Sequence, residues 1–444
     1  MERRRVSLTT LGCKLNATET SSLAEDFRRY GWDVVPFGSD ADVVVVNTCT
    51  VTANADAECR NAVRRGRRHA PQSKVIVTGC SAQLRPESLA SIDGVVAVVG
   101  TRNKLTIADH IESYVRRETP LIDVEEITAD DFRGAVSSPD DGRTRTHLKI
   151  QDGCDYSCSF CTIPDARGPA RAMPFEDVLK TLQDLDGHTE EVVLTGINLG
   201  EYRSGTHRFV DVVRGINELR PSYRVRLSSI EPNTLTDDII DCITSSRTFC
   251  PHLHIPLQSG SASVLRRMRR RYTPELYERR ILDVVSRRAD VCIGIDVIVG
   301  FPGETEAEFA ETMKFLEQLP WSYLHVFTYS ERPNTAALQG EPVPADVRRL
   351  RMTRLRDLSA RRYEEWSNRC IGQRRSAIVE AFDETAQAWP ATTDNYIRVY
   401  LTTDVLRGKR IDVEIGPLVD GYRSARPVGE AGPLSSSLEL RVLS

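Results

Sequence analysis

Short apolar runs alternate with helical patterns through the first 117 residues of the chain. Patterns near residues 18–30 and 54–69 indicate two of these helices. Short apolar strands with helical crossovers are typical of a parallel sheet that is covered on both faces. The pattern therefore predicts an N-terminal parallel-sheet α/β domain over residues 1–120. The predicted strands lie at 6–8, 43–46, 75–77 and 95–99.

Six further strand candidates follow between residues 148 and 331, and helical patterns lie between most of them. Each candidate ends in a polar or glycine-bearing turn. Repeated βα units with such turns at the C-terminal strand ends predict a TIM-type barrel. Because six strands are fewer than the eight of a closed barrel, we expect an open, partial (β/α)6 barrel with room for a macromolecular substrate. The candidates begin near Leu148, Val192, Val225, Leu253, Ile293 and Leu324.

The remaining segments set the predicted domain boundaries. Residues 121–143 are acidic and rich in glycine, serine and proline, which predicts a linker before a barrel domain at 144–372 that ends in a long charged helix. From residue 373 to 444, apolar and polar residues alternate between turn signals, which predicts a small C-terminal β-barrel. The last stretch, GEAGPLSSSLELRVLS, is rich in glycine and serine and is expected to be partly disordered.

Composition narrows the class of protein. The chain has 444 residues, of which 40% are hydrophobic, enough for several globular cores. No apolar run approaches the length of a membrane span, and the basic N-terminus leads into only a short apolar stretch, so neither a membrane protein nor a secretory signal is expected. Eleven cysteines without a signal indicate a reducing compartment and metal ligation rather than disulfides. We expect a cytoplasmic protein.

Arginine dominates the basic residues. The net charge is −4, but only seven of the 59 basic residues are lysine. Arginines cluster at 64–68, 266–271 and 348–362. Such clusters can follow the phosphates of RNA, whereas the alternative is that they lie on solvated helix faces among acidic residues.

Cys154, Cys158 and Cys161 form a C-x3-C-x2-C run on a turn after a short apolar strand. Three thiolates within eight residues can ligate one iron–sulfur cluster, which normally takes four cysteine ligands. The next cysteine is Cys242, so one iron is expected to stay open for a small molecule. The alternatives are a zinc site that lacks a ligand, although structural zinc takes four ligands, or three unrelated thiols.

Three more cysteines follow the first three strands of the N-terminal domain. Cys13 lies in LGCKLN, Cys49 in NTCTVT and Cys80 in TGCSAQ. Since ligands gather at the carboxyl ends of parallel strands, we expect these thiols to meet at one edge of the sheet and to hold a second cluster. The alternative is that they are plain buried thiols, which is the interpretation we give to Cys59.

The combination of LGCK-N, NTCTVT and TGC ahead of the C-x3-C-x2-C run resembles the radical-SAM (S-adenosyl-L-methionine) methylthiotransferase family. The resemblance implies two 4Fe-4S clusters, SAM on the open iron of the first, and insertion of a methylthio group into an unactivated C–H bond. It implies that Cys154, Cys158 and Cys161 are catalytic. The tail, with DNYIRVYL as its clearest strand, resembles the TRAM barrel of tRNA-modifying enzymes, although a structural cap is an alternative.

Within that family, LGCKLN, NTCTVT, LTGINLG and DNYIRV are most similar to the subgroup that acts on N6-threonylcarbamoyladenosine next to the tRNA anticodon. One alternative is the enzyme of isopentenyladenosine in tRNA, and another is the relative that modifies an aspartate of a ribosomal protein. A non-catalytic iron–sulfur RNA-binding protein is the alternative from a different class. The implied partners are tRNA, a flavodoxin- or ferredoxin-like electron donor and a sulfur source.

The resemblance also assigns expected contacts to SAM. Phe160 fits the family's aromatic position before the third cysteine, and the expected strand-end contacts have helix capping or turn chemistry as an alternative role. In a related pattern, YSERPNTAA, Asn334 stands where the family usually has glycine, and asparagine also tolerates a left-handed backbone. The expected SAM-binding residues are Phe160, Gly196, Ser229, Glu231, Gln258 and Asp296.

Arg167 and Arg171 follow the third cysteine of the run closely. A planar guanidinium binds a carboxylate through two hydrogen bonds, so we expect these arginines to bind an anionic group of the substrate. The alternative is a solvated salt bridge within the loop.

Overall fold

The computed structural model of the protein describes residues 4–50, 53–117, 119–137 and 142–428, without the side chains of 53–56. The chain falls into two compact units, Met1–Glu364 and Glu365–Ser444. The predicted boundaries at 120, 143 and 372 remain a prediction, because the first unit contains both α/β parts. The stretch expected to be partly disordered, 429–444, lies outside the described residues. None of the helices in the described ranges is long and apolar enough to cross a membrane.

The first unit begins with a six-stranded, all-parallel sheet in the order β2-β1-β3-β4-β5-β6. The four predicted strands are present, and the sheet gains two edge strands of three residues, β2 and β6, that the apolar pattern does not indicate. The strands are β1 (Arg5–Thr10), β2 (Asp33–Val35), β3 (Val43–Thr48), β4 (Lys74–Gly79), β5 (Val95–Val99) and β6 (Leu121–Asp123). The helices are α1 (Lys14–Arg29), α2 (Ala53–His69), α3 (Cys80–Leu84), α4 (Pro86–Ala90) and α5 (Ile111–Val115).

Strand β3 shows why this sheet is encoded by continuous apolar runs. Val43 and Val45 belong to a core that includes Phe27 of α1. Val44 and Val46 belong to a second core, on the side of α2. Because successive strand residues face opposite sides of a sheet, both faces are covered by helices. Polar and reactive residues of the sheet therefore collect at its strand ends.

The barrel follows in the same unit. Its six main strands are parallel within the sets β8-β11-β14 and β15-β16-β17. Parallel bridges from Val225 to Phe249 and from Ser229 to His254 join the two sets. The predicted partial (β/α)6 barrel is thus confirmed. The strands are β7 (Ala135–Val136), β8 (Thr146–Lys149), β9 (Gln151–Asp152), β10 (Arg171–Ala172), β11 (Glu191–Thr195), β12 (Arg203–Ser204), β13 (His207–Arg208), β14 (Arg224–Leu227), β15 (His252–His254), β16 (Cys292–Val299) and β17 (Tyr323–Thr328).

Helices lie between most barrel strands, and a long helix ends this part of the chain. The first is a short helix directly after the C-x3-C-x2-C loop. The helices are α6 (Ile163–Arg167), α7 (Phe175–Asp184), α8 (Phe209–Leu219), α9 (Asp237–Thr244), α10 (Ala262–Arg267), α11 (Pro274–Arg287), α12 (Glu306–Gln318) and α13 (Ala345–Arg369). The last of these is the predicted charged helix.

The segment predicted as a linker, 121–143, differs from that expectation in its described parts. Strand β6 pairs with β5 and completes the first sheet. Strand β7 pairs antiparallel with β8 of the barrel. The segment therefore adds a strand to each sheet. Its polar composition does not indicate these strands, because both are short.

The second unit contains a closed five-stranded barrel in the order β18-β19-β20-β22-β21. Its interior is filled by small and branched residues such as Ala377, Ala391, Val399 and Val413, all fully buried. This agrees with the predicted TRAM-like barrel. The strands are β18 (Arg374–Val379), β19 (Trp389–Thr393), β20 (Arg398–Leu401), β21 (Arg410–Val419) and β22 (Tyr422–Pro427).

Candidate active site with two cysteine triads

Cys154, Cys158 and Cys161, which we call the loop triad, lie on the loop between β9 and α6. Gly153 starts the loop with φ +68°, and a Cβ built there would overlap the backbone of Pro169. Only glycine allows this approach. The N–H of Cys154 then donates to the carbonyl of Gly168 at 3.2 Å, which closes the base of the loop.

An N–H group donates to each sulfur of the loop triad. The backbone N–H of Tyr156 lies 3.4 Å from Sγ of Cys154, and that of Ile163 lies 3.5 Å from Sγ of Cys161. Sγ of Cys158 accepts from Nη1 of Arg270 at 3.2 Å. Hydrogen bonds to the charged form of an acid stabilise that form. The loop is therefore arranged for three thiolates, the form in which cysteine binds iron.

The loop triad lines a cavity of about 680 Å³. Gln83 and Glu126 contribute to its wall from the N-terminal α/β part, and Asn334 from the segment after β17. Asn334 has φ +64°, the left-handed backbone that asparagine tolerates. A cavity of this size falls in the range of cofactor sites, and three thiols in its wall fit an iron–sulfur cluster with space beside it.

Burial opposes ionisation of the three thiols of the loop triad. It raises the pKa of Cys161 to about 12, despite the hydrogen bond from the N–H of Ile163. Burial likewise raises the pKa of Cys154 and Cys158. Because metals bind the thiolate, iron binding here has to release protons.

Cys13, Cys49 and Cys80, which we call the sheet triad, follow β1, β3 and β4. A Cβ built at Gly12 would overlap Cβ and Sγ of Cys49, so the turn that carries Cys13 packs directly on Cys49. Although Cys13 is exposed as a residue, surrounding atoms desolvate its thiol and raise its pKa, and the nearby Cys80 thiol also raises it. The structure thus brings the three cysteines to one edge of the sheet.

Asn16, the asparagine of LGCKLN, connects the turns that carry two of these cysteines. Its Nδ2 donates to the carbonyl of Leu11 at 3.0 Å and to that of Thr48 at 2.9 Å. These carbonyls belong to the two turns that carry Cys13 and Cys49. The buried amide therefore fixes these two turns relative to each other.

Known proteins resemble this chain over nearly its whole length. Residues 5–100 match the family model described as "Uncharacterized protein family UPF0004", and residues 148–316 match the Radical SAM superfamily. Threonylcarbamoyladenosine tRNA methylthiotransferase MtaB of Bacillus subtilis (strain 168) is 38% identical over 427 residues, which cover 94% of each chain. The chain belongs to the family of these methylthiotransferases.

Relatives of lower sequence identity include further tRNA methylthiotransferases. The MtaB enzyme of Aquifex aeolicus (strain VF5) is 35% identical, over 89% of this chain and 96% of its own. The tRNA-2-methylthio-N(6)-dimethylallyladenosine synthase of Porphyromonas gingivalis (strain ATCC BAA-308 / W83) is 29% identical, over 90% and 89%. Among solved structures, the radical S-adenosylmethionine methyltransferase TsrM of Kitasatospora setae matches with a TM-score of 0.56 and 15% identity, over 76% and 77%, which shows the fold alone. As a radical SAM protein, the methylthiotransferase takes a 4Fe-4S cluster and SAM.

Two of the predicted SAM contacts of this methylthiotransferase belong to one polar cluster at the barrel strands. Oγ of Ser229 lies 2.6 Å from Nδ1 of His254, whose Nε2 lies 2.9 Å from Oδ1 of Asp296. Nδ1 of His325 lies 3.2 Å from the same carboxylate oxygen. Burial alone would raise the pKa of Asp296, but hydrogen bonds from the two histidines outweigh it and bring the pKa to about 2.

The other predicted SAM contacts have protein partners at the strand ends. Glu231 pairs with Arg270, the arginine that donates to Cys158. Phe160 packs edge-on against Phe301, with ring centroids 6.4 Å apart. A Cβ at Gly196 would lie 2.8 Å from the side chain of Gln151, and Gln258 takes a left-handed backbone with φ +68°. Their contacts with SAM remain predictions.

The expected contact of Arg167 and Arg171 with an anionic substrate does not agree with the structure. Arg167 is completely buried and Arg171 is 6% exposed. Arg167 binds Glu19 of α1 at 3.0 Å and Asp152 at 2.9 Å, and Arg171 binds Asp152 at 3.1 Å. Burial opposes ionisation of Glu19, but Arg167 and other cations outweigh it and hold its pKa well below the usual range. Both arginines join parts of the protein rather than face the cavity.

Sequence reasoning missed the residues that support the two triads. Arg270 belongs to the arginine cluster 266–271, for which the sequence suggests contact with RNA. Arg267 of the same cluster pairs with Glu308. His254 could have been found from its place beside Ser229 at a strand end, where polar residues of a barrel collect. Glu19 carries no such signal, because a single glutamate in a helix is an ordinary surface residue.

Proposed function

We propose that this methylthiotransferase adds a methylthio group to N6-threonylcarbamoyladenosine next to the anticodon of tRNA. The observation that carries the proposal is the presence of two cysteine triads in one compact unit of a chain that matches enzymes of this name over 94% of its length. Transfer of a methylthio group to an unactivated carbon needs a hydrogen acceptor and a sulfur donor, and each triad offers a site for one of them.

The loop triad would hold the cluster that takes SAM at its open iron. When bound, this cluster supplies the electron that cleaves SAM reductively. The chain contributes the N–H donors of Tyr156, Ile163 and Arg270 to the three sulfurs. Gly196, Ser229, Glu231, Gln258, Asp296 and Phe160 lie around the barrel strand ends as the proposed SAM contacts.

The sheet triad would hold a second 4Fe-4S cluster. When bound, this cluster supplies the site from which the transferred sulfur leaves. The chain contributes the close packing of Gly12 on Cys49 and the Asn16 amide, which hold the two turns in place.

Arg269 is the candidate to bind the carboxylate of the threonylcarbamoyl group, in place of Arg167 and Arg171. It lines the cavity of the loop triad and is exposed. Its left-handed backbone, φ +57°, ends α10, because the N–H of Arg270 donates to the carbonyl of Leu265 at 3.0 Å. Among the described residues, no ion pair or hydrogen bond of its side chain is found, so its guanidinium is available for a carboxylate.

Substrate comparison with the reconstituted protein tests this proposal. Purified chain, a reductant and SAM are incubated with tRNA that carries either threonylcarbamoyladenosine or isopentenyladenosine, and the nucleosides are measured by mass spectrometry. We expect the methylthio product from the first tRNA and little from the second. Equal turnover of both would contradict the substrate assignment, and absence of SAM cleavage would indicate a non-catalytic iron–sulfur protein.

A pair of arginine variants tests the carboxylate contact. Arg269→Gln should raise KM for the threonylcarbamoyl tRNA by about tenfold, because one charge-assisted bidentate contact is lost. Arg266→Gln is the matched control, since Arg266 is an exposed arginine of α10 that does not line the cavity. An equal effect of both variants would show that Arg269 acts only through general attraction of RNA.

The tail barrel is proposed to bind tRNA. Tyr400 and Tyr422 lie with ring centroids 4.6 Å apart, and the guanidinium of Arg398 lies 5.5 Å from the ring of Tyr400. Aromatic rings beside an arginine suit stacking on bases and contact with phosphates. We also infer a cytoplasmic location, a flavodoxin- or ferredoxin-like electron donor and a separate source of sulfur, since the proposed reaction consumes electrons and sulfur.

A further inference from the structure

A buried network of charges connects the N-terminal α/β part with the barrel. Its carboxylates are Glu19 and Asp152, and each binds at least two cations. Lys104 lies 2.6 Å and Lys149 2.9 Å from Glu19, and Lys149 lies 3.1 Å from Asp152. All members are at most 6% exposed; they are Glu19, Lys104, Lys149, Asp152, Arg167 and Arg171.

The charges of this network do not balance. It contains four cations and two carboxylates, an excess of two positive charges. A buried charge without a partner is strongly unfavourable, so buried cations are normally neutralised by a neighbouring anion. Asp131 is a further anion near Arg171, whereas the anionic groups that act on Arg167 after Asp152 and Glu19 are the thiols of Cys80 and Cys13.

Arg167 shows where a neighbouring anion belongs. Its Nη2 donates to Oδ1 of Asn16 at 2.6 Å, at the turn that carries Cys13. The thiols of Cys80 and Cys13 are among its electrostatic neighbours. Its Nε–H is buried and has no acceptor among the described residues. A charge and an N–H group of Arg167 are thus left for a partner at the sheet triad.

Helix α6, which carries Arg167, packs against the part of the chain that carries the sheet triad. Helix α6 packs against α3, which begins with Cys80. Oγ1 of Thr101 donates to the carbonyl of Ala166 at 2.8 Å. The backbone of Arg167 is therefore held between the two triads, because Cys161 lies only six residues before it.

We propose that Arg167 is a positioning residue for an anionic cluster on the sheet triad, to which its Nε–H donates and whose reduction potential its charge raises. The inference rests on the proposed function, because the second cluster does. Thiolate ligands make such a cluster anionic, and a nearby cation stabilises the more negative, reduced form. Hydrogen bonds from outside the ligand shell commonly change metal affinity by about 10- to 100-fold.

The test uses full-length protein with both clusters and measures reduction potentials by EPR-monitored titration. Addition of SAM identifies the signal of the loop cluster, which then serves as an internal reference. The double variant Arg167→Met with Glu19→Gln removes one cation and one carboxylate, so the net charge of the network is kept, but the cation acts more strongly on the Cys13 thiol than the carboxylate does. We expect a lower potential for the sheet cluster and about 10- to 100-fold faster loss of its iron to a chelator, with an unchanged loop cluster.

Two further variants complete the test. Arg167→Lys keeps the buried charge and the fold but loses the Nε–H, and it should shift the same potential in the same direction by less. Arg226→Gln is the matched control, since Arg226 is equally buried and binds Glu191 at 2.8 Å at the start of β11; it should leave both potentials unchanged.

Three results would overturn the inference. Unchanged potential and iron release in both Arg167 variants would show that Arg167 only joins the two parts of the chain. An equal shift in the Arg226→Gln control would show a general loss of stability. If the unmodified chain holds about four irons rather than about eight, the second cluster is absent, and the proposed function fails together with the inference.

Discussion

The two cysteine triads bring three thiols together in opposite ways, one from a single loop and one from three separate strand ends. The loop triad spans eight residues, its sulfurs accept from two backbone N–H groups and one arginine, and it opens on the cavity. The sheet triad spans residues 13 to 80 and exists only where three strand ends meet. The ligands of the loop triad are neighbours in the chain, although its third donor, Arg270, lies 112 residues from Cys158, whereas the sheet triad depends for its ligands on the whole sheet.

The largest expected effect separates the triads by their iron. Replacement of Cys154, Cys158 and Cys161 by alanine should abolish SAM cleavage and reduce the iron content from about eight to about four per chain. The remaining iron would belong to the sheet triad, whose sheet does not depend on the loop. Iron analysis of anaerobically purified protein checks this, and loss of all iron would mean that the two sites do not form independently.

The second effect separates the triads by their chemistry. Cys80→Ala should leave SAM cleavage close to normal and eliminate the methylthio product, because the radical site stays intact while the sulfur site is lost. Cys59→Ala is the control, since Cys59 is buried in the same α/β part but packs in the core. Product formation is followed by mass spectrometry, and normal product with Cys80→Ala would remove the sheet triad from the reaction.

The third effect concerns a part of the chain that holds neither triad. Deletion of residues 374–444 should weaken tRNA binding by at least about tenfold and lower its salt dependence by about one unit of slope per lost phosphate contact. SAM cleavage without tRNA should persist. Filter binding at several salt concentrations checks this; unchanged affinity would move tRNA recognition to the unit that carries both triads.

The smallest effect probes the polar cluster of the barrel. The pKa of Asp296 is about 2, below its ordinary value, so its charge adds stability that is fully present above about pH 4 and is lost as the pH falls through about 2. Asp296→Asn should cost up to about 2 kcal/mol at neutral pH and less in acid.

Urea unfolding of the iron-free chain at several pH values measures this difference. Asp184→Asn is the control, because Asp184 is an exposed residue at the end of α7, and it should change stability by less than about 0.5 kcal/mol. A cost for Asp296→Asn that does not depend on pH would mean that the carboxylate contributes by packing and not by its charge.

The comparison also explains what the sequence could predict. Spacing alone indicates the loop triad, because its ligands are neighbours in the chain. The sheet triad could be predicted only after the fold. The fold prediction placed its three cysteines together because each follows a predicted apolar strand. Edge strands β2 and β6 were not predicted, because three partly exposed residues are too few to show an alternation of apolar and polar positions.

The prediction for Arg167 and Arg171 failed for a physical reason. Nearness in sequence to the loop triad suggested a substrate contact, but Arg167 binds Asp152 and also Glu19, which lies 148 residues away. Local sequence shows that an arginine is close to a site, whereas the direction of its side chain depends on which distant carboxylate is buried beside it. Long-range charge pairing of this kind has no periodic signature.

The position of Glu19 has a consequence for biosynthesis. The ribosome makes the N-terminal α/β part first, and among the described residues of that part the ion-pair partner of Glu19 is Lys104. Lys149 and Arg167 emerge later, with the barrel. Domains generally fold as they emerge, so the nascent sheet stands open on the side that Arg167 will cover. If the sheet triad holds the proposed second cluster, iron loaded during translation would reach it from the side that Arg167 later covers.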